Sequence, residues 1–473
     1  MAGRIVSFLS IPVIVRMVSR ADYGSVQVFV TMFAFLVLIR DFGFDSYYIV
    51  KNKTGDKQLL NTFVNALCIN CFVSGGLLLI LAGPLAGWMN ISHYADYFRL
   101  LIPLLFLSSI ETISLNYFRE KVLFKRIAIG QSIRFLSYPL LSLLFIWVSP
   151  GFESLYAAFC ISTILVAGYY AVIMPERKSL LITIRGLRSG FKTMIGNRAF
   201  LFNSGIGVVI SNLSYSLPIY FFSGLVSLEH TAMYSLAFAV VARPISLLLI
   251  PVSRVAFPAM THLSDEKIRA FILKMTGLSA IAVYPVLIWV ILYAPDICAV
   301  FLGPKYQNVT LLIRLICIPF FMSVVSLPLM GISMVKDKPQ IYVYWAVVNI
   351  AVVIATLYAG LQIGFVTSVM FFAIGRFVTL FFWQVITCRL SGLPLSRLVY
   401  NYGKYLPVWM VIAAVGLAFQ YTGGLGIAAP VIAGFSMIGV YALLLYKLHR
   451  GAFNDITGLI RKPKVVRARL GMG

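Results

Sequence analysis

Apolar runs of bilayer-crossing length, separated mostly by short polar or basic loops, recur from Ser25 to Leu448. A crossing helix needs about 20 predominantly apolar residues. Inside a bilayer only helices and closed barrels satisfy every backbone polar group. A barrel would show short alternating segments, whereas these runs are continuous. The 473-residue chain is 60% hydrophobic and 11% charged, which no soluble globular domain matches. The pattern predicts an all-α polytopic membrane protein.

The net charge of +24 does not point to nucleic acid, because the excess sits in loops between the predicted spans. With an inner N-terminus, most basic residues fall in inner loops, Arg40 among them. Only Arg16, Arg20, Arg99, Lys305 and Arg314 fall in outer segments. That asymmetry is the positive-inside signature. It predicts about fourteen spans with both termini cytoplasmic.

The expected organisation is an N-terminal lobe over 1–174, a basic cytoplasmic linker over 175–198, and a C-terminal lobe over 199–388. Two further helices follow over 389–448, then a basic cytoplasmic tail over 449–473, expected either to lie along the anionic leaflet or to stay solvated. The lobes hold six spans each. The first apolar run, between Arg4 and Arg16, is too short for a ~30 Å core. A signal peptide is the alternative, but no small-x-small cleavage site precedes Arg16. The run is expected to be the outer part of a first span that lacks its start. Val18-Ser-Arg-Ala-Asp-Tyr-Gly24 echoes Val226-Ser-Leu-Glu-His-Thr-Ala232 at equivalent places in the two lobes. This is a parallel repeat, with a pseudo-axis along the membrane normal and a cavity where the lobes meet.

Within the spans, charge is the functional signal. The stretch from Ala232 to Met260 carries Arg243 and Arg254, whose spacing returns to within about 20° of one helix face. Pro244, Pro251 and Pro258 interrupt the same stretch and predict a kink with freed carbonyls. With Arg134 and Arg376 these arginines form a cationic set. Arginine suits phosphate or pyrophosphate through its bidentate fork. The bland alternative has Arg254 snorkelling to the interface and Arg243 paired with a carboxylate. Glu111 is the deep acid, with Asp41 and Asp45 near an inner end. Glu111 either pairs structurally with an arginine or titrates as a coupling site, and both readings stay open.

No phosphate-cradling Gly-x-x-x-x-Gly-Lys loop, zinc-ligand spacing or nucleophilic triad occurs, so no cofactor, no metal and no enzymatic activity are expected. Cys68-x-x-Cys71 lacks His or acidic partners and is taken as two small buried residues.

Arg16-Met-Val-Ser-Arg-Ala-Asp-Tyr-Gly24 and Asp41-Phe-Gly43 resemble the start of the polysaccharide transporters, the Wzx-type flippases. So do Phe124-Lys-Arg-Ile-Ala-Ile129, Met233-Tyr-Ser-Leu-Ala-Phe238, Pro251-Val-Ser-Arg-Val-Ala-Phe-Pro258 and Phe301-Leu-Gly-Pro-Lys-Tyr306. The branch most similar is that of lipopolysaccharide, colanic and teichuronic acid exporters, in the multidrug/oligosaccharidyl-lipid/polysaccharide exporter superfamily. The resemblance implies two six-helix lobes plus two helices in a bacterial inner membrane. It also implies transbilayer movement of undecaprenyl-pyrophosphate-linked oligosaccharide, driven by H+ or Na+. Arg134, Arg243, Arg254 and Arg376 are then expected to bind the headgroup, with Glu111 and Asp41 in ion coupling. Expected partners are the lipid-linked substrate, membrane lipids, and a polysaccharide polymerase or export machinery. Rival readings are a drug/cation antiporter, which should line its cavity with acids, and a membrane-embedded polymerase or glycosyltransferase. The latter wants a large outer loop or a carboxylate cluster.

Overall fold

The computed structural model describes residues 2–45, 48, 57–121, 123–175, 184–260, 263–336, 338–421 and 429–448. All regular structure among them is helical. Thirteen of the helices are long and apolar enough to cross a membrane, and a shorter apolar helix covers Ile5–Met17. The main elements are α1 (Ala2–Leu9), α2 (Ile11–Met17), α3 (Arg20–Asp41), α4 (Lys57–Trp88), α5 (Ala95–Glu120), α6 (Phe124–Val148) and α7 (Phe152–Ile173). Then come α8 (Ile184–Gly196), α9 (Arg198–Leu225), α10 (Leu228–Met260), α11 (Asp265–Leu292) and α12 (Val309–Ser326). The last five are α13 (Pro339–Leu361), α14 (Phe365–Ser391), α15 (Leu395–Gly403), α16 (Leu406–Tyr421) and α17 (Ala429–Leu448). The predicted tail over 449–473 and the Gly-rich joint before α17 lie outside the described residues.

The chain divides into two compact units. The first is Met1–Ser235 with Tyr342–Ile354, and the second is Leu236–Ile341 with Ala355–Gly473. In the first unit an aromatic cluster ties three spans. Phe29 of α3 stacks on Phe98 of α5 with centroids 4.3 Å apart, and it meets Phe152 and Tyr156 of α7. Tyr156 Oη donates to the Tyr97 carbonyl at 2.8 Å, so the buried phenol is satisfied. In the second unit Tyr284 of α11 packs against Trp409 of α16 at 4.5 Å and Phe321 of α12 at 5.0 Å. Trp289 Nε1 donates to the Pro430 carbonyl at 2.9 Å, which holds α17 onto α11.

The two echoing heptapeptides become matched helix starts. Ser19 caps α3, its Oγ accepting from the Asp22 amide at 3.0 Å. Ser227 Oγ accepts from the His230 amide at 3.3 Å at the start of α10. A side chain at a helix start satisfies an amide that has no carbonyl within the helix. The two starts also touch each other. A Cβ at Gly24 would overlap the Leu228 carbonyl, so only glycine permits this approach. Arg20 Nη1 lies 3.9 Å from Glu229 Oε2 beside it.

The structure differs from the sequence reading in three places. The basic linker contains α8, an amphipathic helix packed along α4. A Cβ at Gly190 would stand 2.9 Å from the Ala66 amide nitrogen, so small residues let the two helices lie together. Helix α10 begins at Leu228, ahead of the expected stretch from Ala232, and continues through Pro244, Pro251 and Pro258, as a kinked or a straight helix would. Arg40, assigned to an inner loop, is fully buried in the last turn of α3.

Candidate functional site

The first unit encloses a cavity of about 520 Å³. Its walls come from evenly spaced positions. On α5 they are Ser108, Glu111, Thr112, Asn116 and Arg119, which recur every three or four residues and share one face. Helix α3 contributes Val30, Ala34, Val37 and Asp41 by the same periodicity, and α6 contributes Gln131 and Arg134. Phe159 of α7 and Asn212 of α9 complete the lining.

Two acid–arginine pairs organise the charge. Arg134 Nη2 donates to Glu111 Oε2, with the Glu111 side chain 10% exposed and Arg134 31% exposed. Arg134 Nε is buried and makes no hydrogen bond, so the guanidinium keeps a donor in reserve. Behind the wall, Arg40 Nη2 lies 2.7 Å from Asp41 Oδ1. Arg40 also donates to the Leu105 carbonyl at 2.9 Å, Ser108 Oγ at 2.6 Å and Thr112 Oγ1 at 2.6 Å. A buried guanidinium is tolerable only when its donors are used in this way. Asp45 accepts from Asn116 Nδ2 at 2.6 Å, and Arg119 Nη1 donates to Asn116 Oδ1 at 3.3 Å. Asn116 thus bridges an acid and a base that do not pair directly.

The structure brings Arg134, Glu111 and Asp41 into this one cavity. Arg243 and Arg376 belong to the second unit, on α10 and α14, half-buried and buried respectively. The Arg254 side chain lies outside the described residues. Sequence reasoning missed Arg40, Asn116 and Arg119. Arg40 looks like a loop charge because Gly43 follows it, and Asn116 carries no charge to draw attention. Sequence reasoning expects a cationic cavity between lobes. The first unit's own cavity carries the carboxylates of Asp41, Asp45 and Glu111 beside two lining arginines. Paired carboxylates inside a bilayer can exchange a bound cation or proton when an arginine partner is drawn away.

A family model described as polysaccharide biosynthesis protein matches residues 13–311. An uncharacterized membrane protein in the cps region of Klebsiella pneumoniae is 22% identical over 376 residues, 75% of this chain and 72% of the relative. Among solved structures, lipid II flippase MurJ in an inward closed conformation aligns with TM-score 0.69 at 14% identity, covering 94% of this chain and 97% of its own. An inward-facing multidrug resistance MATE family transporter aligns with TM-score 0.62 at 13% identity, covering 82% and 95%. The fold is thus a multi-pass membrane fold shared with a lipid II flippase and a MATE family transporter. The chain belongs to the polysaccharide biosynthesis protein family, whose model covers more than half of it.

Proposed function

We propose that the protein flips an undecaprenyl-pyrophosphate-linked oligosaccharide, the repeat unit of a lipopolysaccharide or exopolysaccharide, from the cytoplasmic to the outer face of a bacterial inner membrane. Transport proceeds by alternating access coupled to H+ or Na+, with both termini cytoplasmic. The observation that carries this reading is the Arg134–Glu111 pair on a cavity wall inside a polysaccharide-family fold. The lipid II flippase neighbour and the cps-region relative support a lipid-linked saccharide as cargo.

The pair offers a coupling route in this chain's own residues. A pyrophosphate oxygen competes with Glu111 for the Arg134 fork, helped by the unused Nε. Glu111 then loses its counter-charge at membrane depth and takes up H+ or Na+. By linkage, the ion and the headgroup favour each other's binding, so this pair by itself couples their movement in the same direction, and export driven by ion entry needs a second carboxylate that exchanges its ion for cargo. Asp41, held by Arg40, serves as a second coupling carboxylate, while Arg243, Arg254 and Arg376 attract the headgroup.

One observation favours a second reading, a drug/cation antiporter. The cavity shows three carboxylates, the lining such a cargo would want. Export of surface glycan in a strain lacking the native gene separates the two, with membrane abundance of each variant measured alongside. The flippase reading expects Arg243→Ala to abolish export and Arg243→Lys to retain part of it, because Lys keeps the charge but not the fork. Glu111→Gln should flatten the pH or sodium dependence of flipping. Full export by Arg243→Ala at normal abundance removes that arginine from headgroup binding. Drug extrusion without glycan export moves the assignment to the antiporter.

A further inference from the structure

A second cavity, of about 290 Å³, lies within the second unit, and its lining includes Lys274, Gly277, Leu278, Ile281, Asn401 and Lys404. It forms where α15 crosses α11. Asn401 Nδ2 donates to the Leu273 carbonyl at 2.6 Å and fixes the crossing. Gly277 makes room for it, since a Cβ there would stand 3.1 Å from Asn401 Nδ2. Lys404 Nζ donates to Asn401 Oδ1 at 3.2 Å and sits 5.0 Å from the Tyr405 ring centroid. An ammonium has three donors, so the Asn401 bond leaves two for another acceptor. Among the described residues, no carboxylate lines this cavity. Lys274 and Lys404 converge on it with one sign of charge.

The cavity is also two-sided. Asn401 and Lys404 lie at the joint between α15 and α16, where Leu406 and Met410 begin an exposed apolar surface, and Lys274 lies on α11. Further along α11 the walls are Leu278 and Ile281. A polar cationic mouth over an apolar floor, at the level where a spanning helix begins, fits a phosphate headgroup carried on hydrocarbon chains. Inorganic phosphate would leave the floor unused.

We propose that the cavity lined by Lys274, Asn401 and Lys404 binds the phosphate headgroup of an anionic bilayer lipid, with Leu278 and Ile281 against the start of its chains. This site stands apart from the charged cavity of the first unit and does not depend on what that cavity transports.

The test is native mass spectrometry of the full-length protein released from detergent. Apparent affinity is titrated for phosphatidylglycerol, for phosphatidylcholine and for inorganic phosphate. The wild type should prefer phosphatidylglycerol to phosphatidylcholine. Lys274→Gln and Lys404→Gln should each cut that preference about five-fold, and the double variant about thirty-fold. Both side chains reach the surface, so the variants should keep the wild-type melting temperature. Lys125→Gln/Lys192→Gln removes the same charge from exposed positions of the first unit and should leave the preference intact. An undiminished preference in the Lys274/Lys404 double variant, or an equal drop in the control, overturns the site. Displacement of phosphatidylglycerol by inorganic phosphate at equal concentration overturns the lipid assignment.

Discussion

The two units keep arginine in the membrane in different chemical company. In the first, Arg40 and Arg134 each meet a carboxylate, and the cavity charge is close to balanced. In the second, Arg376 is 2% exposed, yet no Asp or Glu occurs anywhere between Asp337 and Asp455. The spans α14, α16 and α17 therefore offer that arginine no acid of their own. The contrast is one of composition: acids share the first unit's cavity, while the last spans of the second carry none. A groove of about 320 Å³ in the second unit, between Trp289 and Phe435, is almost wholly apolar and adds to the difference.

The sharpest way to break this comparison is at Arg40. Arg40→Ala leaves Asp41 without its counter-charge and should cost about 3–5 kcal/mol of unfolding free energy. Arg40→Met/Asp41→Asn, which removes both charges, should recover most of it. Denaturant titration in detergent measures both. A cost below about 1 kcal/mol for Arg40→Ala would mean the pair is not an anchor.

A smaller effect is expected from packing. Gly24→Val drives a side chain into the Leu228 carbonyl, which cannot move without shifting α10, and should cost about 1–3 kcal/mol. In the second unit Gly439 of α17 has no neighbour within 4 Å. Gly439→Ala should be neutral or stabilising by up to about 1 kcal/mol, since alanine is the better helix former. The same titration reads both, and equal costs would erase the packing contrast.

The smallest effect belongs to an exposed ion pair of the second unit. Lys336 Nζ lies 2.6 Å from Asp265 Oδ1, but the aspartate side chain is 70% exposed. Lys336→Ala should cost less than about 1 kcal/mol, and the difference should shrink when the titration is repeated in high salt.

The membrane spans were legible because each apolar run is long enough to declare itself without tertiary context. The short run before Arg16 was legible for the complementary reason, as α1 and α2 together remain too short for a full crossing. Helix α8 left a signal that was passed over. Ile184, Leu187, Phe191 and Ile195 recur at helical spacing inside the basic linker, so charge hid a period. Arg134 and Glu111 could each be singled out as a costly charge in a span. Their pairing could not, because it depends on how α5 and α6 are rotated toward each other. Arg40 was illegible on both counts. A basic residue at the end of a span followed by a glycine turn is the ordinary pattern of a loop, and only Ser108 and Thr112 of α5 show otherwise.

The burial of Arg40 bears on the order in which the chain is assembled in the bilayer. Its side-chain acceptors on α5 arrive 65, 68 and 72 residues later in the sequence. When α3 first enters the membrane, none of them has been synthesised. Asp41 is the one neighbour available at once. An arginine near a helix end can reach back to the headgroups while it waits. Helix α3 thus enters shallowly, with Arg40 at the surface. It settles to its final depth only when the hairpin of α4 and α5 delivers Leu105, Ser108 and Thr112. Until then the helix that carries Asp41 into the cavity is held out of register by its own neighbour. The acceptors of Arg40 therefore come with the third of the described spans, and Arg134 arrives only with the fourth.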